Sequence, residues 1–274
     1  MTSTLIRPAL TRQQEHWREC YGPWAVITGA SDGIGREMVL RLAEAGLNLV
    51  LVARRRELLE QLATDLTARH GVETRVIVAD LAVAAGVETV TTGTSDLEVG
   101  LLAAVAGFGT SGRFIDSPLE QELAMVDVNC RAVTALVWHF GRRFAGQRRG
   151  GMVLMSSLLA FQGVPYAAHY AATKAYVQTL AEALHVELAP LGVNVLASAP
   201  GPVQSGFAAR AHMHLGMALQ PRDIAGATLA ALGHRTTVRP GLLSKALEGA
   251  LILLPRWARV RVMGAVMAGM TKQP

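Results

Sequence analysis

Six short apolar runs, separated by stretches of helical patterning, most constrain the fold of this chain. Residues 24–28, 47–52, 74–78, 101–105, 151–155 and 193–198 are rich in Val, Leu, Ile and Ala, without strict alternation of apolar and polar positions. Strands of that kind are buried on both faces, as in a parallel sheet covered by helices. Between the runs, Met38, Val39, Leu42 and Ala45 share one helix face before a stop at Gly46, and Leu58, Leu59, Leu62 and Leu66 repeat at helical spacing. Residues 170–188 read as a long helix. The alternation predicts an α/β fold, a doubly wound parallel sheet.

No repeat, linker or break in composition precedes about residue 210, so residues 21–274 are expected to form one domain behind a polar surface arm, residues 1–20. Residues 206–274 are rich in Met, Ala, Leu and Arg and are expected to be helical, followed by a strand that closes the sheet or by an apolar flap. The chain is 51% hydrophobic, slightly above the roughly 45–50% of an ordinary domain, which calls for a search for a membrane span. None reaches the ~18 apolar residues required: the longest candidate, residues 246–254, is interrupted by Glu248 and stopped by Pro255. Arg7, Arg12, Glu15 and Arg18 occupy the place of a signal-peptide core. Cys20 and Cys130 make neither a disulfide framework nor a metal spacing, so a reducing, cytoplasmic setting without a bound metal is expected. The net charge of +5 comes as short arginine clusters, with no zinc-finger spacing or aromatic RNA-binding strand beside them. Solvated faces are the plainer reading of those clusters, and no nucleic-acid partner is expected.

The turn after the first run reads Thr28-Gly29-Ala30-Ser31-Asp32-Gly33-Ile34-Gly35. Three glycines at a strand-to-helix junction permit a tight turn and close approach of the backbone to a pyrophosphate, with free N–H groups of the helix behind it. Glycine can also serve a loop's conformation alone. The next strand ends at Ala53 and runs into Arg54, Arg55 and Arg56, where a carboxylate would have bound ribose hydroxyls and repelled a 2′-phosphate. Guanidinium groups grip phosphate, which favours NADP(H) and leaves NAD(H) open. Asp80, with Leu81 beside it, follows the third strand and suits either the adenine amino group or a helix N-cap.

Tyr170 and Lys174 stand four apart at the start of the long helix, so an ammonium can sit beside a phenol. A free phenol titrates near 10, too high for acid–base work at neutral pH, and a neighbouring cation pulls it down. The alternative is a surface pair. Ser157 follows the fifth run, where its hydroxyl would face the crevice, and Asn129 lies further upstream.

Taken in order, Thr28-Gly29-x3-Gly33-x-Gly35, Asn129, Ser157, Tyr170-x3-Lys174 and Pro200-Gly201 resemble the short-chain dehydrogenase/reductase family over residues 24–207. The resemblance implies a Rossmann-type sheet of about seven strands with helices on both faces, and hydride transfer between a nicotinamide and a carbonyl or alcohol carbon. It implies that Tyr170 is the general acid, that Lys174 lowers its pKa and holds the nicotinamide ribose, and that Ser157 rather than Ser156 orients the substrate oxygen. Asn129 would steady a water in a proton relay. Ala106 and Gly107 would pass the adenosine half, while Pro200, Gly201, Val203 and Ser205 would flank the carboxamide. A homodimer or homotetramer is implied as well.

Three positions depart from the family's pattern. Ala104-Val105-Ala106-Gly107 stands where Asn-Asn-Ala-Gly is usual, which puts hydrogen bonds between neighbouring strands in question. Asp32 replaces the Lys or Arg of many NADP-preferring members, and Ser205 replaces the commoner Thr. The entry Tyr21-Gly22-Pro23-Trp24 is similar to the 3-ketoacyl-CoA reductase and 17β-hydroxysteroid dehydrogenase-like branch, as loosely are residues 241–255. That branch suggests a lipophilic ketone or 3-oxoacyl thioester. Residues 206–219 would be the substrate lid, with Phe207, Met213, Met217 and Leu219 around His212 and His214; ordinary helix packing explains the same apolar residues. The apolar and basic extension, residues 241–274, suits a cover over the cleft, an oligomer contact or peripheral membrane contact, burial against protein being favoured. The leading function is an NADP(H)-dependent ketoreductase. The alternatives are an NAD-dependent alcohol or steroid dehydrogenase, and a cofactor-binding regulatory protein without catalysis.

Overall fold

A computed structural model of the chain describes residues 12–206, 218–241, 249 and 253–271. Seven strands, β1 (Trp24–Thr28), β2 (Asn48–Ala53), β3 (Thr74–Val78), β4 (Val99–Ala104), β5 (Gly150–Met155), β6 (Val193–Ser198) and β7 (Thr237–Val238), form one sheet in the order β3-β2-β1-β4-β5-β6-β7. Every neighbouring pair is parallel. After β3 the chain crosses back past β1 to lay down β4, so a crevice opens beyond the carboxyl ends of β1 and β4. The sequence places β1, β3 and β6 at their observed limits and β2, β4 and β5 within two residues. The short β7 is the expected closing strand.

Helices cover both faces because β4 and β5 are buried at every residue, leaving no side for water. On one face lie α2 (Gly33–Glu44) and α3 (Arg56–His70), with α8 (Pro221–Ala231) beside α2. On the other lie α4 (Ala84–Thr92), α6 (Ala132–Gln147) and α7 (Ala168–Leu188). Phe140 and Phe144 of α6 are fully buried there, and each contributes roughly 2–3 kcal/mol by leaving water. Helix α2 starts at Gly33, where the Asp32 carboxylate accepts the Gly33 N–H at 2.7 Å and caps it.

The segment before β1, expected as a surface arm, is from Arg12 a docked helix, α1 (Arg12–Tyr21). Its polar residues hide an apolar edge: Trp17 and Cys20 pack on the core and Tyr21 is buried. The Tyr21 ring lies against Gly151, where an added Cβ would come within 2.7 Å of it. Asn194 Nδ2 donates to the Tyr21 hydroxyl at 3.0 Å. Residues 1–11 of that arm lie outside the described residues. No helix among the described residues is long and apolar enough to cross a membrane.

Candidate active site

Backbone geometry builds the near end of the crevice. Gly29 and Gly33 have φ of 72° and 53°, a region that side chains disfavour. At Gly35 an added Cβ would lie 2.2 Å from the Gly29 carbonyl oxygen, so no other residue fits. The Thr28 hydroxyl accepts the N–H groups of Val105 and Ala106, both at 3.0 Å. That link ties β1 to the end of β4, where the usual pair of amides is missing. The turn from Ser31 to Gly35 and the small residues Ala106 and Gly107 line a cavity of about 880 Å³.

At the rim of this end, the expected arginine cluster divides. Arg54 Nη1 stands 3.9 Å from Asp80 Oδ2. Arg55 donates to Ser31 Oγ from Nη2 at 2.9 Å and from Nε at 3.3 Å, and lies 3.9 Å from Asp32 Oδ2. Both line the cavity with more than half of each side chain exposed. Arg56 turns away to Glu60 within α3 at 3.3 Å, leaving two cations at the crevice instead of three. Asp80 and Leu81 also line the cavity. Asp80 caps no helix: Val83 precedes α4, and Asp80 Oδ1 accepts the Ala82 N–H at 3.0 Å.

The far end is buried. Tyr170 enters as the third residue of α7, its ring packed with Phe108 and Met125. Met125 belongs to α5 (Leu119–Val126). Tyr170 and Ser157 share a side-chain hydrogen bond. Burial pushes the Tyr170 phenol up to about 12, while the Ser157 bond acts in the opposite sense. Lys174 Nζ donates to the Met155 carbonyl at 2.8 Å and stands 5.8 Å from the centre of the Tyr170 ring. Burial lowers the Lys174 ammonium to about 8, against a raising effect from Cys130. Desolvation therefore outweighs the Ser157 hydrogen bond at Tyr170, and the phenol stays protonated at neutral pH. Ser156 spends its hydroxyl on the Lys174 carbonyl at 3.2 Å, so Ser157 is the serine that meets Tyr170.

Asn129 acts from behind the cavity wall. It is fully buried in a π-helical turn, Asp127–Arg131, between α5 and α6. Its Nδ2 donates to Phe108 O at 2.9 Å and Thr173 Oγ1 at 3.0 Å, and its Oδ1 accepts from Phe108 N at 3.2 Å. An added Cβ on Gly107 would reach within 2.9 Å of that Oδ1 and 3.3 Å of Lys174 Nζ, so the glycine lets these groups close together. Pro200, Gly201, Val203 and Ser205 reach the cavity from the loop after β6. Of the expected lid, residues 207–217 lie outside the described residues. At its far end Leu219 exchanges backbone hydrogen bonds with Pro202 and Gln204 of the loop after β6, each at 2.9 Å.

Sequence reasoning did not assign the wall supplied by the last helix, α9 (Arg256–Met270). Met263 and Met267 are buried against Val164, Ala167 and Ala171, and with Val266 and Met270 they line the cavity. Their spacing of three and four was the available signal, and it is equally that of any core-facing helix. The inner face of α9 thus covers the cleft, as one of the expected alternatives has it, while Trp257 stands exposed on another side. Residues 242–248, 250–252 and 272–274 of the extension lie outside the described residues.

A glycine cradle at a helix N-terminus, leading to a buried Ser–Tyr–Lys set, defines a class of dinucleotide-dependent oxidoreductase sites. The sequence profile of the short chain dehydrogenases matches residues 23–215, and the chain belongs to that family. It is 36% identical over 178 residues to a 7beta-hydroxysteroid dehydrogenase of Collinsella aerofaciens, covering 65% of this chain and 68% of that protein. It is 33% identical over 184 residues to a very-long-chain 3-oxoacyl-CoA reductase of Anas platyrhynchos, covering 65% and 59%. A solved 7beta-hydroxysteroid dehydrogenase superposes with a TM-score of 0.83 at 30% identity, covering 90% of this chain and 98% of that one. A short-chain dehydrogenase from Sphingobium yanoikuyae in complex with NADPH gives 0.77 at 30% identity, covering 86% and 97%.

Proposed function

We propose that this oxidoreductase is an NADP(H)-linked reductase of a lipophilic ketone or 3-oxoacyl thioester. The observation that carries the reading is the placement of Tyr170: a buried phenol bonded to Ser157, facing a chamber walled by methionines of α9. The glycine turn fits a dinucleotide, since a Cβ at Gly29 or Gly35 would fill the space against neighbouring backbone. Gly33 and Ile34 would offer helix N-terminal N–H groups to its pyrophosphate. Arg54 and Arg55 would hold a 2′-phosphate, Asp80 and Leu81 would border the adenine, and Val203 and Ser205 would border the carboxamide. Bound NADPH would supply the hydride that a carbonyl carbon accepts.

The remaining chemistry belongs to the chain. Ser157 and Tyr170 hold the substrate oxygen, and the Tyr170 O–H gives that oxygen its proton as negative charge develops. In the reverse direction a Tyr170 phenolate takes the proton of an alcohol. Lys174, fixed on the Met155 carbonyl, stabilises that phenolate and orients the nicotinamide ribose. Asn129 holds the Phe108 backbone and Thr173, which keeps this wall of the relay in place. Met263, Met267 and Met270 adapt to an apolar substrate body. The reading is supported by relatives named for steroid and very-long-chain acyl substrates, and by a structural neighbour named for its NADPH complex. Exposed Trp138, Tyr176 and Val186 on α6 and α7 support a homodimer or homotetramer, which sedimentation tests. The direct test is consumption of NADPH and of NADH over steroid, acyl and small aliphatic ketones. Turnover with the bulky apolar ketones and NADPH is expected; turnover with small polar carbonyls alone contradicts the substrate class.

A further inference from the structure

Among the described residues, Glu122 is the one buried aspartate or glutamate, and it lies outside the machinery assigned above. A carboxylate withdrawn from water needs a partner with a hydrogen to give. Here the partner is His169, whose Nδ1 stands 2.5 Å from Glu122 Oε2. His169 is the second residue of α7 and directly precedes Tyr170. Its ring also meets Phe114 edge to face, with centroids 5.7 Å apart. Phe114 opens a 3₁₀ turn, Phe114–Asp116, ahead of α5.

The position of the pair gives it a task. Glu122 sits one turn before Met125 on α5, and Met125 packs against Tyr170 together with Phe108. His169 and Tyr170 are neighbours on α7. The hydrogen-bonded pair therefore clamps the same two helices whose apolar contact holds the Tyr170 ring. Apolar contacts are not directional, so Met125 and Phe108 fill space around the ring without fixing its rotation. A short hydrogen bond one residue away does fix an orientation. Ala124 and Val128, next along from Glu122, line the cavity, so a tilt of α5 would also move the wall on which the substrate rests.

We propose that Glu122 and His169 are a positioning pair for the catalytic acid, setting how α5 meets the start of α7 and so where the Tyr170 hydroxyl points relative to Ser157. The inference rests on the reading of Tyr170 as the proton donor. It assigns neither residue a contact with substrate or cofactor.

The test compares four variants of the full-length protein on one reducible ketone with NADPH. Glu122→Ala strands His169 and is expected to lower both Tm and kcat, the latter about tenfold or more, with NADPH affinity unchanged. Glu122→Gln keeps an acceptor for His169 and should hold kcat within about threefold of the natural protein. Replacing both partners by apolar residues, Glu122→Leu with His169→Phe, removes the stranded group and restores Tm, because nothing polar is left unpaired. If the pair positions Tyr170, that double variant recovers Tm while kcat stays about tenfold low. A double variant with the natural kcat, or a Glu122→Gln variant as slow as Glu122→Ala, overturns the proposal. Where Glu122→Ala does not fold, the Glu122→Gln and double variants decide. Tyr170→Phe separates the two levels: if it still turns over at the natural rate, the reading of Tyr170 itself has failed.

Discussion

The two ends of the crevice are built on opposite principles. At the cofactor end the shape comes from glycine backbone, and the charges sit on Arg54 and Arg55, whose side chains are 55% and 53% exposed. At the chemical end Ser157, Tyr170, Lys174 and Glu122 are all buried, at 7%, 8%, 4% and 3% exposure. Exposed ion pairs are worth about 0–1 kcal/mol, so both arginines can leave Asp80, Asp32 and Ser31 for a phosphate at little cost. Buried polar groups have no such freedom, since each must keep its partner. On the proposed reading, one end would exchange partners on recognising a ligand, and the other would hold a proton in a fixed place. Substitutions at the two ends should therefore be felt in different measurements.

The largest separation is expected at Ser157. On the proposed reading, Ser157→Ala would remove a donor to the substrate oxygen and should lower kcat about 10²–10³-fold, with NADPH affinity within about twofold, read by steady-state kinetics and fluorescence titration. Gly35→Ala should do the converse. Its Cβ has nowhere to go beside the Gly29 carbonyl, and a strain of about 1–3 kcal/mol predicts a 10- to 100-fold loss of NADPH affinity together with a fall in Tm. Replacing Arg54 and Arg55 by Ala should weaken NADPH about tenfold or more, from the loss of charge-assisted bonds, while NADH binding stays within about twofold. Equal losses for both cofactors would place the arginines elsewhere than at a 2′-phosphate.

The smallest effect concerns pH. Lys174 titrates at about 8 in the folded protein against an ordinary 10.5, so between these values the unfolded chain binds the extra proton and stability rises with pH. Tyr170 is raised from 10 to about 12, so above pH 10 the folded state keeps the proton and stability falls. Tm of the cofactor-free protein should thus gain from Lys174 between pH 8 and 10, and Lys174→Met should remove that slope. An identical pH profile for the variant would contradict the burial assigned to Lys174.

The same contrast decides what the sequence makes legible. Gly29, Gly33 and Gly35 can be read because a positive φ or a missing Cβ leaves one residue type, and Tyr170 and Lys174 because a four-residue step on a helix fixes their neighbourhood. The strands can be read because a buried parallel sheet tolerates only continuous apolar runs. By contrast, Glu122 and His169 lie 47 positions apart, and no local pattern joins them. The Thr28 hydroxyl likewise finds its two backbone donors 77 and 78 residues away, a link no local pattern announces. Arg56 looks like a third phosphate ligand in sequence, but as the first residue of α3 it is drawn to Glu60 one turn on. Met263 and Met267 carry the signature of any core-facing helix, and only the packing of α9 over the crevice turns them into a wall of the cavity. Helix α6 carried a plain apolar stripe, Leu136, Val137, Phe140 and Phe144, to which no expectation was attached.

The central claim is that Tyr170 gives the proton in an NADPH-linked reduction of a lipophilic ketone. Its most direct test is single-turnover NADPH oxidation with such a ketone by the natural protein and by Tyr170→Phe, with cofactor binding measured alongside. The account predicts a fall of about 10²–10⁴-fold in the rate with NADPH still bound at its natural affinity. An undiminished rate in Tyr170→Phe would contradict it.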